Sequence, residues 1–322
     1  MNQAINQNLL NQSTAINSSS AYVEINGIEH YYQWIRAGQN SEVPKPVMVF
    51  IHGWGGSGRY WESTAEALSK DFDCLIYDLR GFGRSTRASI HPTPQTTPAN
   101  SNTTRNTSND KPDYELTGYA EDLAILLKRL NLDKVYLNAH SMGGSIAALF
   151  LNLYPERVEQ AILTCSGIFE YDHRTFTTFH TLSRYIVMFR PKWLLNIPWM
   201  DRMFMARFLY RPLPSSVSRA FLEDFLLADF AAAYGTVLTS VSQAATEWLP
   251  RQFEQFTVPT LLVAGEYDQI IPANMGQAAA NLNDCIEFVM LKNTAHFPML
   301  EDAPTYLIAV RKFLGFADSV PA

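Results

Sequence analysis

Cysteine is scarce in this chain: Cys74, Cys165 and Cys285 are the only three in 322 residues. They lie far apart, in or beside apolar strand-like runs, so they read as buried thiols rather than disulfide partners or metal ligands. Buried, unpaired thiols fit a reducing compartment, and the cytosol is the expected location. No apolar run is long enough to span a bilayer. Basic residues form no block, and 25 Lys and Arg against 31 Asp and Glu leave a formal charge of −6. That balance argues against nucleic acid and against an anionic membrane surface as partners. Residues 1–20 hold no charged side chain and no continuous apolar stretch, so they do not make a secretory signal and are expected to be a disordered tail.

What is present is an apolar fraction of 47%, enough for a sizeable globular core. Tyr22 to Tyr32 alternates across an Asn26-Gly27 turn, a strong hairpin signal. Val47–Ile51, Cys74–Tyr77, Val135–Leu137, Gln160–Thr164, Thr260–Ala264 and Glu287–Leu291 read as strands, most of them continuously apolar and so buried on both faces. Helical patterns alternate with them, which predicts an α/β fold with a mostly parallel sheet, an N-terminal antiparallel hairpin and helices on both faces. Two stretches interrupt the alternation. Residues 86–112 are dense in Thr, Pro, Asn and Ser and predict a mobile surface loop. Residues 168–250 are helix-like, aromatic and apolar, and predict a helical cap between the sixth and seventh strands. The core then comprises 21–167 and 251–318.

Ala139-His140-Ser141-Met142-Gly143-Gly144 joins a short strand to a helix, the setting of a nucleophile elbow. Small neighbours are needed because the two backbones nearly touch around so sharp a turn. A serine hydroxyl needs a base, and the base needs an orienting carboxylate, both on loops at the same edge of the sheet. Asp268 leaves the seventh strand through Gly265-Glu266-Tyr267-Asp268, and His296 follows the eighth in Thr294-Ala295-His296. Glu266 is the competing acid, and His140 adjoins the serine without the geometry of a base. No spacing among the histidines suggests a metal site. Two backbone amides are expected to form an oxyanion hole: Met142, at the start of the elbow helix, and Trp54, in the loop His52-Gly53-Trp54-Gly55-Gly56. The same loop, Gly53 to Gly58, matches the G-x-G-x-x-G of dinucleotide-binding folds, with Asp78 where a ribose-binding acid belongs. That alternative fits poorly with the preceding hairpin and leaves Ser141, Asp268 and His296 unexplained.

Together, His52-Gly53-Trp54-Gly55-Gly56, Asp78-x-Arg80-Gly81-x-Gly83-x-Ser85, the Ser141 elbow, Gly265-x-x-Asp268 with Pro272, and Ala295-His296 followed by Glu301 and Pro304 resemble the α/β-hydrolase superfamily, in the branch with a helical cap. Ala139 and Ala295 stand where many relatives have glycine. The resemblance implies acyl transfer through Ser141 with no cofactor, followed by hydrolysis of the acyl-enzyme. A carboxylic ester with an apolar or lipid-like acyl group is the expected substrate. Perhydrolysis, C–C cleavage, lyase chemistry and a slow ligand receptor remain alternatives within the fold. Cap residues such as Phe176, Phe179, Tyr185, Phe189, Trp193 and Trp199 could line a pocket for such a group or pack the cap onto the core. Mixed with Arg184, Arg190, Arg202, Arg207 and Arg211, they would also suit contact with a lipid surface.

Overall fold

The computed structural model describes residues 16–38, 44–86, 114–169 and 173–316, with the side chains of 173–176 and of 179 left aside. Residues 87–112 of the low-complexity stretch expected to be a loop, and the side chains of Phe176 and Phe179, fall outside what is described. The chain opens on an antiparallel hairpin, β1 (Ile16–Ile25) and β2 (Ile28–Ala37). Asn26 and Gly27 turn it with φ of +52° and +78°, the left-handed pair that a two-residue hairpin requires. The strand starts at Ile16, which pairs with Ala37, so residues 16–20 belong to the sheet and not to a tail. Their side chains are exposed and, Ile16 apart, polar; backbone ladder bonds and a hydrogen bond from the Gln33 side-chain amide to the Ser18 hydroxyl hold them at the sheet's edge.

Six further strands follow: β3 (Val47–Ile51), β4 (Asp73–Tyr77), β5 (Val135–His140), β6 (Val158–Thr164), β7 (Thr260–Gly265) and β8 (Ile286–Leu291). The sheet order is β1-β2-β4-β3-β5-β6-β7-β8, parallel from β4 to β8 and antiparallel only where β2 meets its neighbours. Side chains alternate between two cores, as the two-residue period of a strand dictates. Val49, Ile51, Leu75 and Leu137 enter one core with the helices Leu116–Arg129 and Met142–Leu153. Met48, Phe50, Cys74 and Ile76 enter the other, under Trp61 and the closing helix Ala303–Phe313.

The segment between β6 and β7 is helical, as its composition foretells. It runs through His173–Met188, Met200–Met205, Ser215–Leu227, Phe230–Ser240 and Gln243–Glu254. The last of these begins at Ser242, whose hydroxyl accepts from the amide of Ala245, and continues through Pro250. Leu249 and Phe253 are buried in the main core, and the Asn152 side chain donates to the backbone carbonyl of Gln252 at 2.9 Å. A boundary at residue 250 therefore falls inside an element packed on the sheet. Proline was a misleading stop signal there because tertiary packing holds the helix through it.

Candidate active site

The elbow is built from β5 and the helix Met142–Leu153. Ser141 takes φ +54° and ψ −123°, a conformation that L-residues rarely adopt and that surrounding packing must maintain. Its amide donates to the Thr164 carbonyl at the end of β6, 2.9 Å away. Gly143 allows the approach: a Cβ there would sit 2.5 Å from the His52 carbonyl oxygen. Helix and β3 loop thus touch through backbone, which only the smallest residue permits.

Ser141, Asp268 and His296 come from three separate loops and meet at the carboxyl edge of the sheet. His296 Nδ1 lies 2.7 Å from Asp268 Oδ2, and Nε2 lies 3.0 Å from Ser141 Oγ. A carboxylate can only accept, so Nδ1 carries the proton and Nε2 is left as acceptor for the serine hydroxyl. The other oxygen of Asp268 accepts the amides of Ile270 and Ile271 at 2.8 and 3.0 Å. Burial acts to raise the Asp268 carboxyl, but the His296 charge and hydrogen bond, with those two amides, outweigh it and hold the group below its ordinary value. Glu266, the competing acid, instead accepts the Asn293 amide at the surface.

His140 has a different task. Its Nε2 lies 2.7 Å from the His296 carbonyl oxygen, so Nε2 carries the proton and donates. Its Nδ1 lies 3.0 Å from the Tyr60 hydroxyl, which in turn accepts the Gly53 amide. One relay therefore links the β3 loop, the elbow and the backbone of the residue that faces the serine. Burial, then the nearby His296, keep His140 well below its ordinary value, so it stays neutral. Burial likewise raises Tyr60 well above its own, so the hydroxyl keeps its proton.

His52 ties the same loop to β4. Its Nδ1 donates to the Gly53 carbonyl at 2.8 Å and its Nε2 accepts the Leu79 amide at 2.8 Å. A Cβ on Gly53 would lie 3.1 Å from that of Ser141, so the backbone entering Trp54 rests against the elbow. The Trp54 ring donates to the Ala233 carbonyl at 2.8 Å and packs on Phe225, which anchors the loop to the helical segment above it. Met142 opens the elbow helix, where backbone amides have no intrahelical partner.

Asp78, the acid of the dinucleotide alternative, is spent internally. It is fully buried, accepts the Gly58 amide at 2.8 Å and holds the Arg84 guanidinium at 2.6 and 2.9 Å. It is thus closed to a ribose. Among the described residues, His140, Cys165 and His296 are the group whose possible metal-binding atoms cluster, within 4.8 Å. Both histidines have their ring nitrogens committed, and burial pushes the Cys165 thiol well up, so the donor set does not suit a cation.

Sequence reasoning missed the depth of two roles. Tyr60 carries no motif, and no local pattern marks its contact with Gly53. Glu301 was visible as a motif residue without a task. Its buried carboxylate accepts the amides of Ala295 (2.8 Å) and Phe297 (3.3 Å) on one oxygen, and of Tyr210 (2.7 Å) and Arg211 (2.8 Å) on the other. The His296 amide also donates to the Phe208 carbonyl at 2.9 Å. The loop bearing His296 is therefore clamped to residues 208–211 of the inserted helical segment.

A mostly parallel eight-stranded sheet with a serine on the β5 turn and a His–Asp pair on the β7 and β8 loops is the architecture of the α/β-hydrolase fold. Residues 46–303 match the alpha/beta hydrolase fold family, and the chain belongs to it. It is similar to a protein of Pseudomonas syringae pv. syringae provisionally named carbamate hydrolase RutD, 26% identical over 276 residues that cover 84% of this chain and 94% of the relative. A proline iminopeptidase of Saccharolobus solfataricus is 24% identical over 320 residues, 93% of each chain. Among solved structures, the enol-lactonase from Burkholderia xenovorans LB400 superposes with a TM-score of 0.71 at 19% identity, covering 92% of this chain and all (100%) of the other.

Proposed function

We propose that the protein is a serine hydrolase that cleaves a carboxylic ester with an apolar or lipid-like acyl group through an acyl-enzyme on Ser141. The observation that carries this reading is the single imidazole between Ser141 Oγ at 3.0 Å and Asp268 Oδ2 at 2.7 Å. In the first step His296 Nε2 takes the hydroxyl proton as Ser141 Oγ bonds to the ester carbonyl carbon. The negative charge that develops on the carbonyl oxygen is met by the amides of Trp54 and Met142. Asp268 stabilises the imidazolium, which then protonates the leaving alcohol as the C–O bond breaks. Water enters, gives its proton to His296 and releases the acid, restoring Ser141.

Support for an apolar acyl group comes from the aromatic packing beside the triad. Phe208 packs 6.1 Å from the His296 ring, and Phe221 and Phe297 pack together at 4.7 Å beside Tyr60. The relatives are named as a carbamate hydrolase, a proline iminopeptidase and an enol-lactonase, names that fit reaction at a carbonyl with different leaving groups. The test is hydrolysis of p-nitrophenyl esters of graded chain length, beside a carbamate and a lactone, by the parent protein and Ser141→Ala. Ester turnover that rises with chain length and vanishes in the variant is expected. Turnover confined to the carbamate or the lactone, or surviving the substitution, would overturn the ester reading.

A further inference from the structure

The helical segment over the site has an outer face that its own core does not use. Helix His173–Met188 buries Ser183 and Val187 inward. On a different side it presents Leu182, Tyr185 and Ile186, and beyond its end Phe189, at the i, i+3, i+4, i+7 spacing of one helical face. All four are exposed, Tyr185 by 65% and Phe189 by 67%. Trp193 (53%), Trp199 (71%) and Met203 (68%) extend the surface. Single exposed apolar residues need no explanation, but a contiguous set of this size marks a contact surface.

Charge says what the surface contacts. Residues 177–211 carry six Arg and Lys against one acid, Asp201, in a chain whose formal charge is −6. Arg190 and Arg211 turn inward, Arg190 to the Val187 and Phe225 carbonyls and Arg211 to Glu301 and Asp302. Lys192, Arg202 and Arg207 stay exposed in the stretch that carries Trp193, Trp199 and Met203, whereas Arg184 lies on the other side of its helix from Leu182, Tyr185 and Ile186. Exposed aromatic and aliphatic side chains in a segment with an excess of exposed cations match an anionic bilayer interface, where rings sit at headgroup depth and cations meet phosphate.

Trp199 adds an independent sign. It holds φ +63°, a left-handed conformation costly for a bulky side chain, while its ring is exposed and gains little from folding. Strain kept without a packing return points to use elsewhere. The face also leads inward. A groove of about 510 Å³ runs from Tyr185 and Phe189 past Met203 and Phe204 to Phe225, which packs on Trp54 beside the elbow.

We propose that this face seats the protein on an anionic lipid surface, with the groove opening toward the acyl chains. No helix among the described residues is long and apolar enough to cross a membrane, and the contact proposed is a peripheral one. The surface argument does not depend on the hydrolase reading, and the test is made on the inactive Ser141→Ala protein. Co-sedimentation with vesicles of about one third phosphatidylglycerol in phosphatidylcholine, and of phosphatidylcholine alone, measures binding. Binding at least about tenfold stronger to the anionic vesicles, and weakened by salt, is expected. Lys192→Gln with Arg202→Gln should weaken it by roughly fivefold for each cation. Trp193→Ser with Trp199→Ser should weaken it by about tenfold or more. Trp199→Asn is the decisive variant, because asparagine tolerates positive φ and the fold should melt no lower while vesicle binding falls. Equal binding to both vesicle types, binding untouched by these substitutions, or no binding would overturn the proposal. So would a concentration-dependent dimer that Trp199→Asn dissociates, since the face would then cover a second copy of the chain.

Discussion

At the scale of single residues, proton positions follow from which partners can only accept. Asp268 Oδ2 forces the proton onto His296 Nδ1, and the His296 carbonyl forces it onto His140 Nε2. Asp268→Asn keeps the shape but offers a donor where an acceptor is needed, which favours the wrong tautomer. It should lower kcat roughly 10⁴-fold with the melting temperature little changed, as steady-state kinetics and calorimetry would show. Tyr60→Phe probes the relay. It removes the acceptor of the Gly53 amide and the donor to His140 Nδ1, both buried. A loss of about 1–3 kcal/mol in stability is expected. A kcat loss larger than any KM change should accompany it, because the relay positions the groups around Ser141 without touching substrate. If urea unfolding and kinetics both match the parent protein, the relay has no positioning role.

At the scale of elements, the working parts are loop ends, and their precision depends on clamps between loops. Glu301 fastens both sides of the His296 loop to residues 210–211 by accepting four backbone N–H hydrogen bonds. Glu301→Gln turns one accepting oxygen into an amide donor that faces two buried N–H groups. A melting temperature lower by about 4–8 °C and a reduced kcat are expected. An unchanged thermal scan would mean that the clamp carries no energy. Gly265 marks the other close approach, since a Cβ there would fall 1.9 Å from the Ala295 carbonyl oxygen. Gly265→Ala must therefore push the β7 and β8 loops apart, separating Asp268 from His296. Activity should fall far more than stability, which kinetics on the folded variant would register.

At the scale of the whole molecule, His52 and His140 are buried neutral, each held below the ordinary 6.5 first by burial. The unfolded chain then binds more protons than the native state once pH drops below about 6.5, so stability falls on acidification. Each histidine contributes a slope of up to about 1.4 kcal/mol per pH unit in that window. Asp78 and Asp268, whose folded values lie below the ordinary 3.8, extend the loss below about pH 4. Urea unfolding between pH 7 and pH 5 should show the decline, and His140→Asn should flatten it. A pH-independent midpoint over that range would contradict the assignment of neutral buried imidazoles.

The strand-and-turn pattern by itself determined the sheet, the elbow at Ser141 and the chain order of Ser141, Asp268 and His296. Each rests on local rules: a two-residue alternation, a small-residue turn, a loop that must leave a strand at its carboxyl end. It also marked Asn26-Gly27 as a hairpin turn, yet it placed residues 16–20 in a tail, because ladder bonds leave no trace in side chains. Only the tertiary structure decided that Glu266 faces solvent while Asp268 meets His296, and that Asp78 is consumed by Arg84 and Gly58. It alone joined Gly53, Tyr60 and His140 into a relay, and gave Glu301 four partners from two loops. It also turned Phe189, Trp193 and Trp199 outward, where composition allowed packing inside as readily. The physical reason is common to all of these: which partner a polar or aromatic side chain meets depends on contacts between segments far apart in the chain, and periodicity carries no information about them.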